Sequence, residues 1–246
     1  MNTETNIGQH HKHDPLKDGI SSVQYVDHMG SDLSVVNAAR VSMDKESKWE
    51  FDDTGSFTSK HLSAGDVKLI DYLAAHNHWT PFGHAQLSLR VKAPVYVARQ
   101  LVKHQVGLVW NEVSRRYVDT SPEIYIPDFV AGRADKVKQG STGAAHEDSP
   151  AWVNAMSVLC RHAESTYNNM IKAGVAPEDA RMILPLNMYT EWVWSGSLAA
   201  WARVANLRCD PHSQRHTRAY GEAISAVVSS AFPVSFTALT FGRDTP

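Results

Sequence analysis

The chain has 246 residues, of which 43% are hydrophobic and 20% are charged, so it can bury a sizeable core and has the composition of a soluble globular protein. Its formal net charge of -2 lacks the basic surplus of proteins that bind long nucleic acids, and we expect no nucleic acid polymer as a partner. The two cysteines, Cys160 and Cys209, form no CxxC motif, which favours neither a zinc ribbon nor a disulfide framework.

The chain contains no run of ~18 apolar residues, and its first residues include no apolar signal segment. We therefore expect no membrane association and a cytoplasmic location. Residues 1–20 are polar and rich in histidine, which predicts a flexible N-terminal tail. Residues 21–240 contain no internal repeat and no linker, so we predict that they form one domain.

The first elements of this domain follow from hydrophobic periodicity and from turn residues. We predict a strand over residues 22–29 and a helix over residues 33–41, with Asp32 as the N-cap of that helix. The charged residues 44–60 are predicted to form a loop. A second helix is expected over residues 66–76, where apolar side chains recur at helical spacing.

Three histidines, His76, His78 and His84, surround a turn that Pro81 and Gly83 impose. One interpretation is a metal site, which would make the chain a metal-dependent phosphohydrolase. The spacing, however, is not the His-x-x-x-His spacing of a helical zinc site. A polar turn that lines a ring-shaped ligand explains the same residues, and we predict no metal ligand here.

The next segment places a strand before a helix and a loop. Apolar and polar residues alternate over residues 87–91, which predicts a strand with one exposed face. Pro94 suits the first turn of a helix, and the helix is expected to run to about His104. Residues 109–117 are predicted to form an irregular loop.

Chemistry-bearing side chains are densest from Arg99 to Tyr117, a stretch that contains four arginines or lysines interleaved with valine, leucine and tryptophan. Such a mixture is typical of a helix with one solvent-exposed, basic face. It is equally typical of a cationic pocket whose forked donors suit a phosphate and a heteroaromatic ring. The stretch alone does not decide between these interpretations.

The second half of the domain alternates strands and helices. The predicted elements are a short extended piece over 123–127, a surface loop over 131–149, a long helix over 150–174, a helix over 177–185, a strand over 187–194, a helix over 197–207 and a last helix over 213–232 that Pro233 ends. The fold class that follows is α/β (α+β mixed), a single domain with a mixed β-sheet and flanking helices.

Arg116, Arg181 and Arg208 lie at the predicted ends of elements, as Lys103 does, which favours an anion site over a solvated surface. The glycine-rich phosphate loops GxGxxG and GxxxxGK[ST] do not occur, so Rossmann and P-loop enzymes are disfavoured. No strongly activated nucleophile is evident. Any nucleotide should therefore be held by side chains.

The stretch from Arg99 to Tyr117 also carries a resemblance to a known family. Lys103-His104-Gln105 is followed by Ser114-Arg115-Arg116. This resembles the signature of flavin-dependent thymidylate synthases, in which Arg-His-Arg precedes Ser-x-Arg, although the spacing here is one residue longer. Further matches occur in the family's order over roughly residues 22–235, at residues 38–42, 78–84, 92–100, 125–127, 180–187 and 206–214.

The resemblance implies a methyltransferase of nucleotide biosynthesis, a flavoprotein that reductively methylates dUMP to dTMP. It implies FAD as cofactor, NADPH as reductant and 5,10-methylenetetrahydrofolate as carbon donor. The cofactor would carry the redox step, and the protein would orient and polarise the substrates. The family is homotetrameric with shared active sites, so dUMP, a folate and further copies of the chain are the implied partners.

The resemblance implies a role for particular residues. Arg208 would be the catalytic residue, because a guanidinium at the uracil edge stabilises negative charge as N3 ionises. Arg116 and Arg181 would hold the phosphate. The implied dUMP-binding set is Gln100, Leu101, Val102, Lys103, Glu112, Val113, Ser114, Arg115, Arg116, Arg181 and Arg208. The implied FAD-binding set is His78, Thr80, Lys103, His104, Gln105, Glu112, Ser197, Leu198, Ala199 and Arg203.

The chain departs from the family pattern mainly on the flavin side. Lys103 and Gln105 replace arginines, and Val109 stands where the family often has a serine. Ser197 and Ala199 replace an asparagine and an arginine that some members use for FAD. We expect retained dUMP handling with altered flavin contacts. The alternative is a catalytically silent homologue that binds dUMP and has lost the flavin.

Overall fold

The computed structural model of the protein describes residues 12–53, 58–135 and 140–240. The strands are β1 (Lys12–His13), β2 (Ser22–Met29), β3 (Glu50–Asp53), β4 (Thr58–His61), β5 (Gln86–Pro94), β6 (Leu108–Glu112), β7 (Ala131–Arg133), β8 (Ser141–Ala145) and β9 (Tyr189–Ser197). The helices are α1 (Asp32–Arg40), α2 (Ala64–Ala75), α3 (Val95–Leu101), α4 (Ser149–Lys172), α5 (Pro177–Ala180), α6 (Leu198–Arg208), α7 (Arg215–Ala231) and α8 (Pro233–Thr240). Within the described ranges, no helix is both long and apolar enough to cross a membrane.

A five-stranded sheet in the order β1-β2-β5-β9-β6 forms the centre of the domain. The predicted single domain of helices and strands is confirmed. Every neighbouring pair in this sheet is antiparallel, whereas we expected a mixed sheet. Apart from the short connection from β1 to β2, the connections between neighbouring strands are long enough to allow either direction, so the sequence pattern did not determine it.

The core lies against one face of this sheet. Leu87, Leu89 and Val91 alternate along β5 and are almost completely buried, as are Trp192 and Trp194 of the adjacent β9. Since successive side chains point to opposite faces of a strand, the intervening residues form the other face. Helices α6, α7 and α8 add buried residues to the same core. Helix α6 is therefore packed against the sheet through this core.

Strand β6 occupies part of the segment that we predicted as an irregular loop, and that prediction was wrong for residues 109–112. Its Trp110 pairs with Trp194 of β9 and stacks on Trp192, with ring centroids 4.0 Å apart. Aromatic cross-strand pairs of this kind stabilise antiparallel ladders. The partner strand is remote in sequence, which explains why the local pattern did not reveal β6.

Two further strand pairs lie in segments that we predicted as loops. Strand β3 pairs with β4 almost entirely within the predicted loop 44–60, and β7 pairs with β8 within the predicted loop 131–149. Strands β3 and β4 are polar in sequence apart from Phe51, and β7 and β8 consist mostly of small residues, so they lack the apolar alternation by which a strand is recognised. Residues 54–57 and 136–139 of these predicted loops lie outside the described residues.

Asp32 has a different role from the predicted one. The N-cap of α1 is Ser31, and Asp32 is only 3% exposed. Its carboxylate accepts the backbone N–H groups of Val234 at 3.1 Å and Ser235 at 2.9 Å, so it caps α8. Pro233 thus ends one helix and begins another, because proline fits the first turn of a helix.

Residues 12–20, which belong to the predicted N-terminal tail, contact the sheet. Strand β1 pairs with β2. The carboxylate of Asp18 accepts the backbone N–H of Ser21 at 2.8 Å and the hydroxyl of Tyr189 on β9. Residues 1–11 of the predicted tail lie outside the described residues.

Replacing Asp32 should destabilise the protein. Asp32→Ala leaves two backbone N–H groups of a buried helix end without their acceptor, which typically costs about 1–3 kcal/mol. The free energy of unfolding, measured by urea denaturation, should fall by that amount. The exposed Asp71→Ala on α2 is the matched control and should change it by less than about 0.5 kcal/mol. Equal stabilities for the two variants would contradict the capping role.

Candidate active site

Arg208, at the last position of α6, is held by the end of α3. Its Nε donates to Nε2 of His104 at 2.9 Å, and a terminal nitrogen donates to the backbone carbonyl of Gln100 at 3.2 Å. The Gln100 side chain in turn donates to Gln214, which precedes α7. Two of the predicted dUMP residues and one predicted FAD residue therefore meet in one cluster.

His104 accepts the hydrogen bond from Arg208 as a neutral imidazole. Burial lowers its pKa to about 4, with help from the positive charges of Arg208 and Arg203. A neutral ring that accepts at Nε2 carries its proton on Nδ1. Burial also lowers the pKa of Arg208 from its usual high value. The guanidinium is thus partly desolvated, which strengthens its interaction with an anionic group.

Glu112, at the end of β6, is oriented from two sides. Thr190 on β9 donates its hydroxyl to Oε1 at 2.6 Å, and Trp110 donates its Nε1–H to Oε2 at 3.1 Å. Trp110 is itself fixed by its stack on Trp192. The carboxylate therefore faces solvent in a defined orientation and can accept from a ligand hydroxyl or N–H.

Arg116 and Arg181 converge on Glu178. The Nε of Arg116 lies 3.4 Å from the Glu178 carboxylate, and the Nε of Arg181 donates to the Glu178 backbone carbonyl at 3.3 Å. The backbone N–H of Arg116 donates to the hydroxyl of Ser114 at 3.2 Å. Two exposed arginines beside one hydroxyl form a surface that suits a phosphate.

Arg115 belongs to the same loop, but its side chain contacts other parts of the protein. Its guanidinium lies 5.8 Å from the ring centroid of Tyr167 on α4 and donates to the backbone carbonyl of Thr120. These contacts anchor the loop on α4. Because Arg115 makes these contacts, Arg116 is the arginine of this loop that converges with Arg181 on Glu178.

The start of α6 is tied to the turn that follows α3. Ser197 caps α6 by accepting the N–H of Ala200 at 3.3 Å, and its own N–H donates to the Gly107 carbonyl at 3.1 Å. Gly107 has φ of 75°, and a Cβ there would lie 3.2 Å from the Cβ of Ala200. Arg203 donates to the carbonyl of Val106. Two predicted FAD residues, Ser197 and Arg203, thus border the turn that follows Lys103 and Gln105.

The loop with His78 and Thr80 stands apart from these clusters. Both side chains are exposed, and the His78 ring meets Tyr72 edge-on at 5.9 Å. Across the described ranges, no hydrogen bond or ion pair joins this loop's side chains to Arg208. In the same ranges, His76, His78 and His84 do not bring three ligand atoms together, and the exposed His146, Glu147 and Asp148 do.

Some predicted site residues have core side chains. Leu101 and Leu198 are completely buried and Ala199 is 6% exposed, so only their backbone groups can meet a ligand. Val113 is exposed and Val102 is half-buried. Lys103 and Gln105 are exposed at the end of α3 and fit a ligand-facing position.

Sequence reasoning gave no site role to Glu178, Thr190 and Gln214. Each holds a predicted ligand residue, namely Arg116, Glu112 and Gln100. Glu178 stood out only as an acid in a first helical turn. Thr190 belongs to no matching segment, and Gln214 ends one without a role assigned to it. Their partners lie 78 and 114 residues away in the sequence.

Comparison with known proteins decides the family. A family model described as Thymidylate synthase complementing protein matches residues 24–234. The chain belongs to this family. A flavin-dependent thymidylate synthase of Thermus thermophilus is 36% identical over 216 residues, which cover 88% of this chain and 74% of the relative. That of Kosmotoga olearia is 35% identical over 218 residues and 88% of each chain.

Solved structures agree with this thymidylate synthase assignment. The UMP/dUMP methylase PolB of Streptomyces cacaoi, bound with 5-Br dUMP, superposes with a TM-score of 0.76 at 28% sequence identity. The match covers 92% of this chain and 97% of PolB. The same methylase bound with 5-Br UMP gives a TM-score of 0.74. The predicted resemblance and fold are confirmed.

Mild acid should destabilise the folded enzyme. The pKa values of His104 and His216 are both lowered to about 4 by burial and nearby arginines, whereas an unfolded histidine has a pKa of about 6.5. Between these values the unfolded state binds more protons, so the free energy of unfolding falls as the pH decreases from about 6.5 to about 4.

This slope can be measured by urea denaturation at a series of pH values. His104→Gln keeps an acceptor for Arg208 but cannot titrate, and it should reduce the slope between about pH 6.5 and pH 4. The control is His212→Gln, whose side chain is 95% exposed and whose removal should leave this contribution in place. An unchanged slope in His104→Gln would contradict a neutral, buried His104.

Proposed function

We propose that this protein is a flavin-dependent thymidylate synthase, which methylates dUMP at C5 of uracil to give dTMP. Family membership over residues 24–234 carries the proposal. The relatives named for this activity span most of the chain at about 35% identity. The proposal adds a role for each cluster of side chains described above.

Arg116 and Arg181 are proposed to bind the phosphate of dUMP. The Glu178 carboxylate lies 3.4 Å from Nε of Arg116, and a bound phosphate would replace this carboxylate as the anion that pairs with Arg116. Ser114 would add a hydroxyl donor beside Arg116. Bidentate arginine contacts are the strong, directional way to hold a phosphate without a glycine-rich loop.

Arg208 is proposed to act on the uracil ring. Its Nε and one terminal nitrogen are engaged by His104 and Gln100, so the other terminal nitrogen can face the base. A partly desolvated guanidinium stabilises the negative charge that develops when N3 ionises, and this charge raises the electron density at C5. The neutral His104 orients the guanidinium without competing for the anion.

Four residues of the FAD set fit an anionic cofactor, namely Lys103, Gln105, Ser197 and Arg203. They border the turn at Gly107 and include two exposed cations, which suit the diphosphate of FAD. When bound, FAD supplies the hydride that completes the methyl group, with NADPH as reductant and 5,10-methylenetetrahydrofolate as carbon donor. The proposed FAD set further includes His78, Thr80, His104 and Glu112, and backbone groups of Leu198 and Ala199.

We also propose a homotetramer with shared active sites. Of the long helix α4, only Ser149, Cys160 and Tyr167 are buried. Trp152 and Leu159 of α4 are 57% and 70% exposed, an apolar face that further copies of the chain would cover. Assembly would also bring the loop of His78 towards an Arg208 cluster of another subunit. A cytoplasmic location stays a prediction.

A catalytically silent dUMP-binding homologue is not favoured, because the relatives are named as synthases and match both halves of the chain. The flavin-side departures remain a reason to test cofactor binding directly. Val109 is 70% exposed on β6, and its substitution for a serine removes a hydroxyl from that surface. We propose that it alters flavin contacts without abolishing them.

One experiment tests the whole proposal. The purified protein should be yellow, with the visible absorbance of an oxidised flavin. It should release tritium from 5-tritiated dUMP when methylenetetrahydrofolate and NADPH are present. Flavin absorbance without tritium release would contradict the synthase activity. A colourless protein that binds dUMP and releases no tritium with added FAD would instead support the silent homologue.

Removal of Arg181 should weaken dUMP binding specifically. Hydrogen bonds to charged groups contribute about 1.5–3 kcal/mol, so Arg181→Ala should raise the KM for dUMP roughly 10- to 150-fold. Steady-state tritium release measures this change. The control is Arg218→Ala on α7, whose side chain pairs with Glu222 at 3.6 Å. An equal rise in both variants would contradict a phosphate contact at Arg181.

A further inference from the structure

Gly221 on α7 lies directly against the backbone of Arg208. A Cβ built at Gly221 would be 2.8 Å from the Cβ of Arg208, 2.9 Å from its carbonyl carbon and 3.1 Å from its carbonyl oxygen. Real Cβ atoms essentially never approach other atoms that closely. The atoms in the way belong to the root of Arg208, so no flexible side-chain end can move aside.

The contact distinguishes Gly221 from an ordinary helical glycine. Gly65, the glycine in the first turn of α2, would bring its Cβ no closer than 3.8 Å to another atom. Glycine inside a helix costs roughly 0.5–1 kcal/mol relative to alanine. At Gly221 the close approach of α6 and α7 offsets this cost, and alanine would force the two helices apart.

The side chain of Arg208 is fixed at both ends. Its root rests on Gly221, and its guanidinium is held by His104 at 2.9 Å and by the Gln100 carbonyl at 3.2 Å. Helix α7 is anchored next to Gly221, where the hydroxyl of Tyr220 donates to the carbonyl of Lys92 at 2.6 Å. A displacement of α6 from α7 therefore moves the arginine relative to its partners at the guanidinium.

We infer that Gly221 is a positioning residue for Arg208: its missing side chain sets the α6–α7 distance that places the guanidinium on the substrate base. The inference rests on the proposed role of Arg208 in binding dUMP. Gly221 itself touches no substrate. Its effect must pass through Arg208, and that dependence makes the inference testable.

The test is a double-mutant cycle read out by the dissociation constant of dUMP, measured calorimetrically on the full-length protein. Gly221→Ala should weaken dUMP binding roughly 10- to 100-fold, because a displaced guanidinium loses hydrogen bonds to the ligand, and hydrogen bonds of a charged group contribute a factor of this size. In an Arg208→Ala background the same substitution should change the dissociation constant by less than about twofold, since coupled residues are not additive.

A matched control separates positioning from lost stability. Val227→Ala on the same helix removes volume from a completely buried site and lowers the melting temperature. It should leave the dissociation constant within about twofold of the unaltered protein. A comparable loss of dUMP affinity in Val227→Ala would overturn the inference, as would a Gly221→Ala effect that persists without the Arg208 side chain.

The cycle also distinguishes this inference from the proposed function. An Arg208→Ala variant that binds dUMP normally would overturn the proposed role of Arg208 itself. An impaired Arg208→Ala beside a normal Gly221→Ala would overturn only the positioning role. If Gly221→Ala does not fold, Tyr220→Phe removes the neighbouring anchor of α7. It should then weaken dUMP binding in the unaltered background and not in Arg208→Ala; any other pattern overturns the inference.

Discussion

The pairing of β9 with β5 and β6 is the constraint on which the rest of the structure depends. Strand β9 pairs with β5 over nine consecutive positions, from Tyr189 to Ser197, and with β6 on its other edge. Thr190, near one end of β9, orients Glu112, and Ser197, at the other end, caps α6. Since α6 ends at Arg208, one strand positions both Arg208 and the Glu112 carboxylate.

Contacts within the protein hold the charged side chains of the candidate site in place. His104 and a carbonyl hold Arg208, the carbonyl of Val106 holds Arg203, and Glu178 holds Arg116. These contacts restrict the conformations of each arginine, which reduces the entropy cost of binding an anion. Of these acceptors only Glu178 carries a charge, so Arg203 and Arg208 can still pair with an anionic ligand.

Sequence analysis predicted the elements whose patterns are local. Strand 22–29 coincides with β2, and the predicted helices 66–76 and 213–232 agree closely with α2 and α7. Strand β6 and the cap that Asp32 places on α8 were missed, because their partners lie far away in the sequence. The antiparallel order of the sheet was missed for the same reason.

For the candidate site, the family resemblance indicated which residues are candidates for ligand binding. It did not indicate which other residues hold their side chains in position. The convergence of Arg116 and Arg181 on Glu178, and the bond between Arg208 and His104, depend on tertiary packing. The sequence marked Gly221 only as a lone glycine in a helical pattern. Its contact with Arg208 could be recognised only once the position of α6 was known. The roles of these residues with dUMP and FAD stay proposals.

The carboxylate of Asp32 has a consequence for the order in which the chain can fold. It joins the start of α1 to the start of α8 across 202 and 203 positions of sequence. Closing the intervening chain costs entropy, which the packing of the domain must offset. During synthesis α1 emerges long before α8 exists, so the Asp32 carboxylate has no partner at α8 until nearly the whole domain has been made. The cap on α8 therefore depends on both ends of the domain being present.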